Sequence, residues 1–208
     1  MPMRALYSLL WYLALPLLPL RLIWRGRREP GSRENVGERY GRYHAAVPQP
    51  VLWVHAVSLG ETRAAAPLVD RLRRAHPEAT VLLTHMTATG RATGRALFGD
   101  RVVQAWLPYD APFAVRAFLA HFRPRVGLIM ETELWPNLVA LAREAKVPLY
   151  LVNARMSAKS AHGYAPVPTL SRPIRCAAAS GPPVRTRATW GAWARSRCRR
   201  PWNVRREN

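Results

Sequence analysis

From residue 51 the chain alternates short apolar runs rich in β-branched residues with amphipathic stretches of helical period, and this alternation restricts its fold more than any other feature. Residues 51–57, 80–86, 102–107, 126–130 and 148–152 read as strands. Helical patterns occupy 60–75, 90–98, 111–122 and 134–145 between them. Strands too apolar to leave a face in water, each followed by a helix, imply a parallel sheet wound on both sides. The fold class expected is therefore α/β, with a Rossmann-like parallel sheet. In such sheets ligands bind at the carboxyl ends of the strands, so the segments just after each strand are where chemistry is sought.

Three of these segments stand out. The first, His55-Ala56-Val57-Ser58-Leu59-Gly60-Glu61-Thr62, runs from a strand through one glycine into a helix start carrying a carboxylate. It is not the three-glycine dinucleotide fingerprint, which argues against a nicotinamide cofactor. Glu61 has a structural reading as a first-turn acid favoured by the helix dipole, beside any chemical one. The second, Thr84-His85-Met86-Thr87-Ala88-Thr89-Gly90, is rich in hydroxyls. It has the makings of a cradle of backbone N–H groups, and equally of a helix cap. The third, Met130-Glu131-Thr132-Glu133-Leu134-Trp135-Pro136-Asn137, sets two acids directly after a buried strand. Glu131 and Glu133 share a face if the strand continues. They are alternatively helix-start acids ahead of Pro136.

The amino terminus differs in kind. Residues 5–20 carry no charge, Arg21 interrupts, and Arg25, Arg27 and Arg28 follow. Only Arg4 precedes the apolar run and no small-residue cleavage site ends it, so it does not read as a cleaved signal peptide. The run is short for a span of about 20 residues and contains Pro16 and Pro19. A single-pass or interfacial anchor is expected, with the arginines behind it keeping the following domain on the cytoplasmic side. Trp11, Tyr12 and Trp24 suit a membrane interface.

Charge matters next. Thirty-two basic and 12 acidic residues give a formal net charge of +20 over 208 residues. Such a balance suits anionic partners such as phospholipid headgroups or phosphorylated substrates. No helix-turn-helix, zinc or RNA-binding signature accompanies it, so no nucleic-acid partner is expected. Both cysteines, Cys176 and Cys198, lie near the carboxyl end, so residues 1–172 contain neither a disulfide nor a thiolate metal site, as in a reducing compartment.

Taken together, the segments resemble the 3-deoxy-D-manno-octulosonic acid (Kdo) transferase family of lipopolysaccharide synthesis. The residues that carry the resemblance begin with the apolar terminus and Arg25-Gly26-Arg27-Arg28, then Gly37-Glu38-Arg39-Tyr40-Gly41. His55, Ser58, Gly60 and Glu61 follow, then Thr84, Met86, Thr87, Thr89 and Gly90, and the run Leu107-Pro108-Tyr109-Asp110. Residues 128–137 and Asn153-Ala154-Arg155-Met156-Ser157 complete the series. The resemblance implies the amino-terminal half of a GT-B glycosyltransferase with a membrane anchor helix. It implies Glu61 as general base and Glu131 as a stabiliser of the transition state. It also implies a lipid A precursor as acceptor, CMP-Kdo as donor, no further cofactor or metal, and a place on the cytoplasmic face of the inner membrane.

The expected organisation is a membrane anchor over 1–24, a basic connecting segment over 25–50 and a Rossmann-like acceptor domain over 51–172. Residues 173–208 depart from the family pattern, with nine arginines and no sustained period. They read as out-of-frame translation of a GC-rich gene, or alternatively as a disordered arginine-rich arm for nucleic acid or anionic lipid. The donor-binding half of the family is not recognisable, so the chain is expected to be inactive alone. A non-catalytic, membrane-associated acceptor-binding module is the alternative function.

Overall fold

The computed structural model describes residues 2–44, 46–131, 135–153 and 174–176. At its centre is a parallel sheet of six strands: β1 (Val51–His55), β2 (Thr80–His85), β3 (Val103–Trp106), β4 (Val126–Met130), β5 (Leu149–Val152) and β6 (Ile174–Cys176). Their order is β3-β2-β1-β4-β5-β6, with every neighbouring pair parallel. The order reverses between β1 and β4, which makes that junction the topological switch point.

Four helices alternate with the strands: α3 (Leu59–Ala75), α4 (Ala88–Phe98), α5 (Pro112–Phe122) and α6 (Pro136–Glu144). Successive strand residues point to opposite faces, and the core divides accordingly. Val51, Trp53, Leu82 and Ile129 pack with Phe118, Phe122 and Leu138 of α5 and α6. Val54, Val81, Leu83 and Met130 pack with Ala65, Val69 and Phe98 of α3 and α4. Both faces are thus covered, as continuous apolar strands require. Full burial of each such side chain stabilises by about 1.5–3 kcal/mol relative to exposure.

Helix starts follow local chemistry. Ser58 and Thr87 cap α3 and α4, while α5 and α6 begin at Pro112 and Pro136, where a missing N–H removes no helical bond. The α/β reading of the sequence is borne out, with strand ends within two residues of those expected. β6 pairs in parallel with β5 and lies just past residue 172. The sheet therefore takes in residues that composition had set apart as the start of the tail. Three residues are too few for composition or period to reveal, and only pairing to an open sheet edge defines them. The rest of the tail lies outside the described residues, as does Glu133.

The amino terminus forms α1 (Pro2–Ala14), a 3-10 turn over Leu15–Leu17 at Pro16, and α2 (Leu18–Arg25). Together they make one apolar helical stretch, Met3–Arg25, long and apolar enough to cross a membrane. One side of it is occupied by the domain. Arg4 reaches Asn137 Oδ1 (3.2 Å) and Glu144 (2.9 Å), and Ser8 Oγ donates to Asn137 Oδ1 (3.0 Å). Trp11 stacks on Tyr109 at 5.9 Å, Tyr12 on Phe113, and Leu18 and Leu22 are buried. Positions 4, 8, 11, 18 and 22 follow the helical period, so one stripe faces the domain. Leu6, Leu9, Leu13, Leu17, Leu20 and Trp24 are exposed on the rest of the surface. Trp11 and Tyr12, which the sequence assigned to a membrane interface, also contact the domain through Tyr109 and Phe113, while Tyr12 stays 45% exposed.

Residues 25–44 do more than connect. Trp106, at the end of the edge strand β3, donates its Nε1–H to Glu34 O (2.7 Å) and its backbone N–H to Glu38 Oε2 (2.8 Å). Tyr43 Oη donates to Trp106 O (3.0 Å), and Tyr109 N donates to Arg39 O (2.8 Å). The segment is strapped over the carboxyl end of β3, supplying partners to an edge that would otherwise be left open.

Candidate functional site

β1 and β4 flank the switch point, and each hands its chain to a carboxylate. Past β1 the backbone turns at Ala56–Val57 into the cap of α3. Glu61 stands at the third helical position, three residues after Ser58, the Ser-x-x-Glu spacing of a capping box. Its Oε2 accepts from Val57 N (2.8 Å) and its Oε1 accepts from Ser58 Oγ (3.0 Å), while Ser58 Oγ accepts from Glu61 N (3.5 Å). Glu61 is 8% exposed. Burial pushes its carboxyl above the usual range. The hydrogen bonds from Val57 and Ser58 work the other way, and the charge of Glu131 raises it further. The first-turn reading of Glu61 is therefore realised in its contacts. A carboxylate offers about four acceptor directions, so two occupied ones do not exhaust it.

Glu131 follows β4 directly. Its φ is 58°, in the left-handed region that a residue with a Cβ rarely adopts. Its N–H is held by Val152 O (2.9 Å), and its side chain is partly exposed. Asn153, after β5, is left-handed too (φ 53°). Strain of this sort at the carboxyl edge of a sheet marks places where side-chain direction is fixed at the expense of backbone comfort. The two carboxylates proposed from sequence are thus brought to one edge, on either side of the switch point, close enough that one shifts the other's titration.

The hydroxyl-rich segment after β2 packs against the first. Thr87 Oγ1 accepts from Gly90 N (3.1 Å) and donates to Val57 O (3.0 Å). A Cβ on Gly90 would lie 2.9 Å from Val57 O, so glycine is what lets α4 abut the loop carrying Glu61. The capping role of this segment is the one its contacts show. Beneath it, His85 Nδ1 lies 2.9 Å from Ala56 O, and His55 Nδ1 lies 2.9 Å from Thr84 Oγ1. Burial holds His85 down at about 4 and His55 down at about 3, so both are neutral supports of the loop. Among the described residues no three His, Cys, Asp or Glu side chains gather as metal ligands.

Two supporting residues, named in the sequence only within its motifs and the family resemblance, were given no role there. Asp110, buried after β3, accepts from Asn137 N (2.9 Å) and Leu138 N (2.8 Å), and its carbonyl accepts from Asn137 Nδ2 (2.6 Å). It caps α6 from 27 residues away, binding the Leu107–Asp110 run to the Trp135–Asn137 run. Nothing local in the sequence announces such a cap. Ser58 is different, because the spacing Ser58 to Glu61 was itself a legible signal.

Comparison with known proteins places these features. Residues 34–179 match the model of the family described as 3-deoxy-D-manno-octulosonic-acid transferase (kdotransferase). The chain is 52% identical over 167 residues to the 3-deoxy-D-manno-octulosonic acid transferase of Bordetella pertussis, covering 76% of this chain and 38% of that protein. It is 38% identical over 163 residues to the enzyme of the same name from Haemophilus influenzae, covering 77% and 38%. With that of Rickettsia bellii it shares 31% over 159 residues, covering 76% and 38%. The chain thus spans well under half the length of the curated relatives it matches.

Proposed function

Since the chain belongs to the 3-deoxy-D-manno-octulosonic acid transferase family, we propose that it supplies the acceptor-side half of a glycosyltransferase that moves Kdo from CMP-Kdo to a lipid A precursor. The observation that carries the reading is the pair of carboxylates flanking the switch point, Glu61 after β1 and Glu131 after β4. Glu61 takes the proton of the attacking acceptor hydroxyl, which is a poor nucleophile until deprotonated. A carboxyl raised by burial is a stronger base than a solvated one, while its bonds to Val57 and Ser58 favour the ionised form. As the bond from the sugar to CMP breaks, positive charge develops on the donor carbon, and Glu131 stabilises that charge. The acceptor oxygen then bonds to that carbon, and CMP leaves with the electron pair. CMP-Kdo is held by the part of the family that the match does not reach, in a two-domain arrangement with a cleft between the halves.

The apolar helix supports a membrane setting, and its seating argues for one geometry. Contacts from Arg4 to Leu22 tie nearly its whole length to the domain. A helix threaded across a bilayer would forfeit them, so we place it flat in the interface, exposed leucines in the acyl region, at the cytoplasmic face of the inner membrane.

The test joins this chain to the portion of the Bordetella pertussis relative outside the match and assays Kdo transfer. Glu61→Gln is expected to lower turnover by roughly a hundredfold or more with little change in acceptor affinity. Glu131→Gln is expected to lower it as well. The 208-residue chain alone is expected to give no product, because transfer needs donor and acceptor held together. Full activity of the Glu61→Gln protein would reject the catalytic assignment and leave Glu61 as a helix cap.

A further inference from the structure

Near the carboxyl ends of β2 and β3, away from the carboxylate pair, two buried arginines share one ring. The guanidinium carbon of Arg39 lies 3.9 Å from the centre of the Trp106 ring, and that of Arg91 lies 4.8 Å from it. Arg39 is 4% exposed and Arg91 5%. Their acidic neighbour is Glu38, whose Oε2 already accepts from Trp106 N (2.8 Å) and stands 3.5 Å from Arg91 Nη1. The next acid, Glu34, is paired with Arg95. Both terminal nitrogens of Arg39 reach Met86 O only at 3.5 Å. Arg39 Nε, Arg91 Nε and Arg91 Nη1 are buried with no hydrogen-bond partner.

Buried charge is normally paired and fully hydrogen-bonded. Here two guanidiniums, which stay protonated in proteins, share the nearby carboxylate of Glu38, with Glu34 acting on Arg91 from further off while paired with Arg95. Arg39 Nε and Arg91 Nε are left with no partner, and Arg91 Nη1 has only the 3.5 Å ion pair. The cluster sits beside Met86 and Thr87, where the chain leaves β2 for the start of α4. Arg25 at the end of α2 is near enough to act on Arg39 electrostatically. The excess positive charge and the orphaned donors lie on the ligand-binding edge of the sheet.

We propose that Arg39 and Arg91 form a binding site for a phosphate monoester. A carboxylate presents two coplanar oxygens, whereas the donors here come from two separate guanidiniums on different elements. A tetrahedral dianion with three terminal oxygens accepts from several directions at once and matches the surplus charge. The 3-10 turn carrying Arg39, Val36–Tyr40, is bracketed by left-handed Asn35 (φ 46°) and Gly41 (φ 81°). Because both arginines are buried, an anion reaches the donors only if this turn moves outward and gives up the bonds that Trp106 and Tyr109 make to Glu38 and Arg39. The site does not depend on the glycosyl-transfer reading, since it is measured by binding and stands even if Glu61 proves to be only a cap.

The experiment uses the full chain in detergent micelles. Inorganic phosphate is titrated at constant ionic strength against chloride, with the thermal midpoint and tryptophan fluorescence as readouts. A second arm measures retention on phosphatidylcholine vesicles containing phosphatidic acid, compared with phosphatidylglycerol at matched surface charge. A saturable response is expected in at least one arm. Response to free phosphate alone identifies a soluble phosphomonoester as the source, and retention specific to phosphatidic acid identifies a lipid headgroup. Arg91→Gln is expected to weaken binding roughly tenfold or more. Glu38→Gln, which removes the competing charge but still accepts from Trp106 N, is expected to tighten it. Exposed Arg74→Gln on α3 is expected to leave it unchanged. Should Arg91→Gln fail to fold, the direction of the Glu38→Gln change decides. No saturable response in either arm, or one that Glu38→Gln leaves unchanged or weakens, overturns the site.

Discussion

At Glu61 two roles meet in one side chain, and Ser58 connects them. Ser58→Ala removes the α3 cap and one donor to Glu61 Oε1. It is expected to cost about 1 kcal/mol of stability, read as a lower thermal midpoint. In the joined protein it is also expected to move the acid limb of the pH–rate profile upward, because a hydrogen bond that favoured the charged carboxylate is gone. An unmoved limb would mean that Glu61 is not the group being titrated. Glu131 offers the complementary case. Its φ of 58° suits glycine, so Glu131→Gly is expected to stabilise the chain by about 1 kcal/mol relative to Glu131→Ala. Both substitutions are expected to depress turnover. Stability gained where activity is lost would identify the strain as serving the site, and equal midpoints for the two variants would show that there is no strain to relieve.

Among the elements, α1 and α6 are the pair whose contact was hardest to foresee. Asn137, wholly buried at the start of α6, donates to Asp110 O and accepts from Arg4 and Ser8 of α1. Asn137→Ala takes a partner from Asp110 O and Arg4 Nε, while Ser8 Oγ keeps its bond to Arg4 O. A loss of about 2–3 kcal/mol is expected, with faster amide exchange across residues 2–14, since that contact holds the helix to the domain. Unchanged exchange would detach the helix from this anchor point. The outward face makes a separate prediction. Replacing exposed Leu6, Leu13 and Leu20 together by serine is expected to abolish vesicle binding with the thermal midpoint kept. Salt alone is not expected to release the unmodified chain, because apolar burial adds to electrostatic attraction. Release by salt would reject the embedded helix.

For the molecule as a whole, acid is the sensitive direction. An unfolded histidine takes up its proton near 6.5, whereas His85 holds out to about 4 and His55 to about 3. The unfolded chain therefore binds more protons below 6.5, and the stability present at neutral pH drains as pH falls toward 4. Asp110 runs the other way, raised by burial from 3.8 to about 6, so its share of stability grows as pH drops through 6. The two histidines are shifted further than the one aspartate and outweigh it. A thermal midpoint falling between pH 6.5 and 4 is expected, with His85 alone contributing on the order of 3 kcal/mol. A midpoint rising over that range would show that the buried carboxyls dominate.

What the sequence determined by itself was whatever depends on local period and chemistry. Strands at Val51–His55 and Val126–Met130, and helices begun by Ser58, Thr87 and Pro136, follow from runs of a few residues whose burial and capping are decided nearby. The family, and the two carboxylates Glu61 and Glu131 as candidates, were legible for the same reason, since short contiguous motifs carry them. Tertiary structure alone decided what joins residues distant in the chain. It set Glu61 and Glu131 across the switch point, capped α6 with Asp110, turned residues 34–43 into a strap over Trp106, and laid α1 on α6. These contacts bridge 27 to 140 positions in sequence. They arise because buried polar groups must find partners wherever the folded sheet places them, and no local pattern encodes which partner that will be.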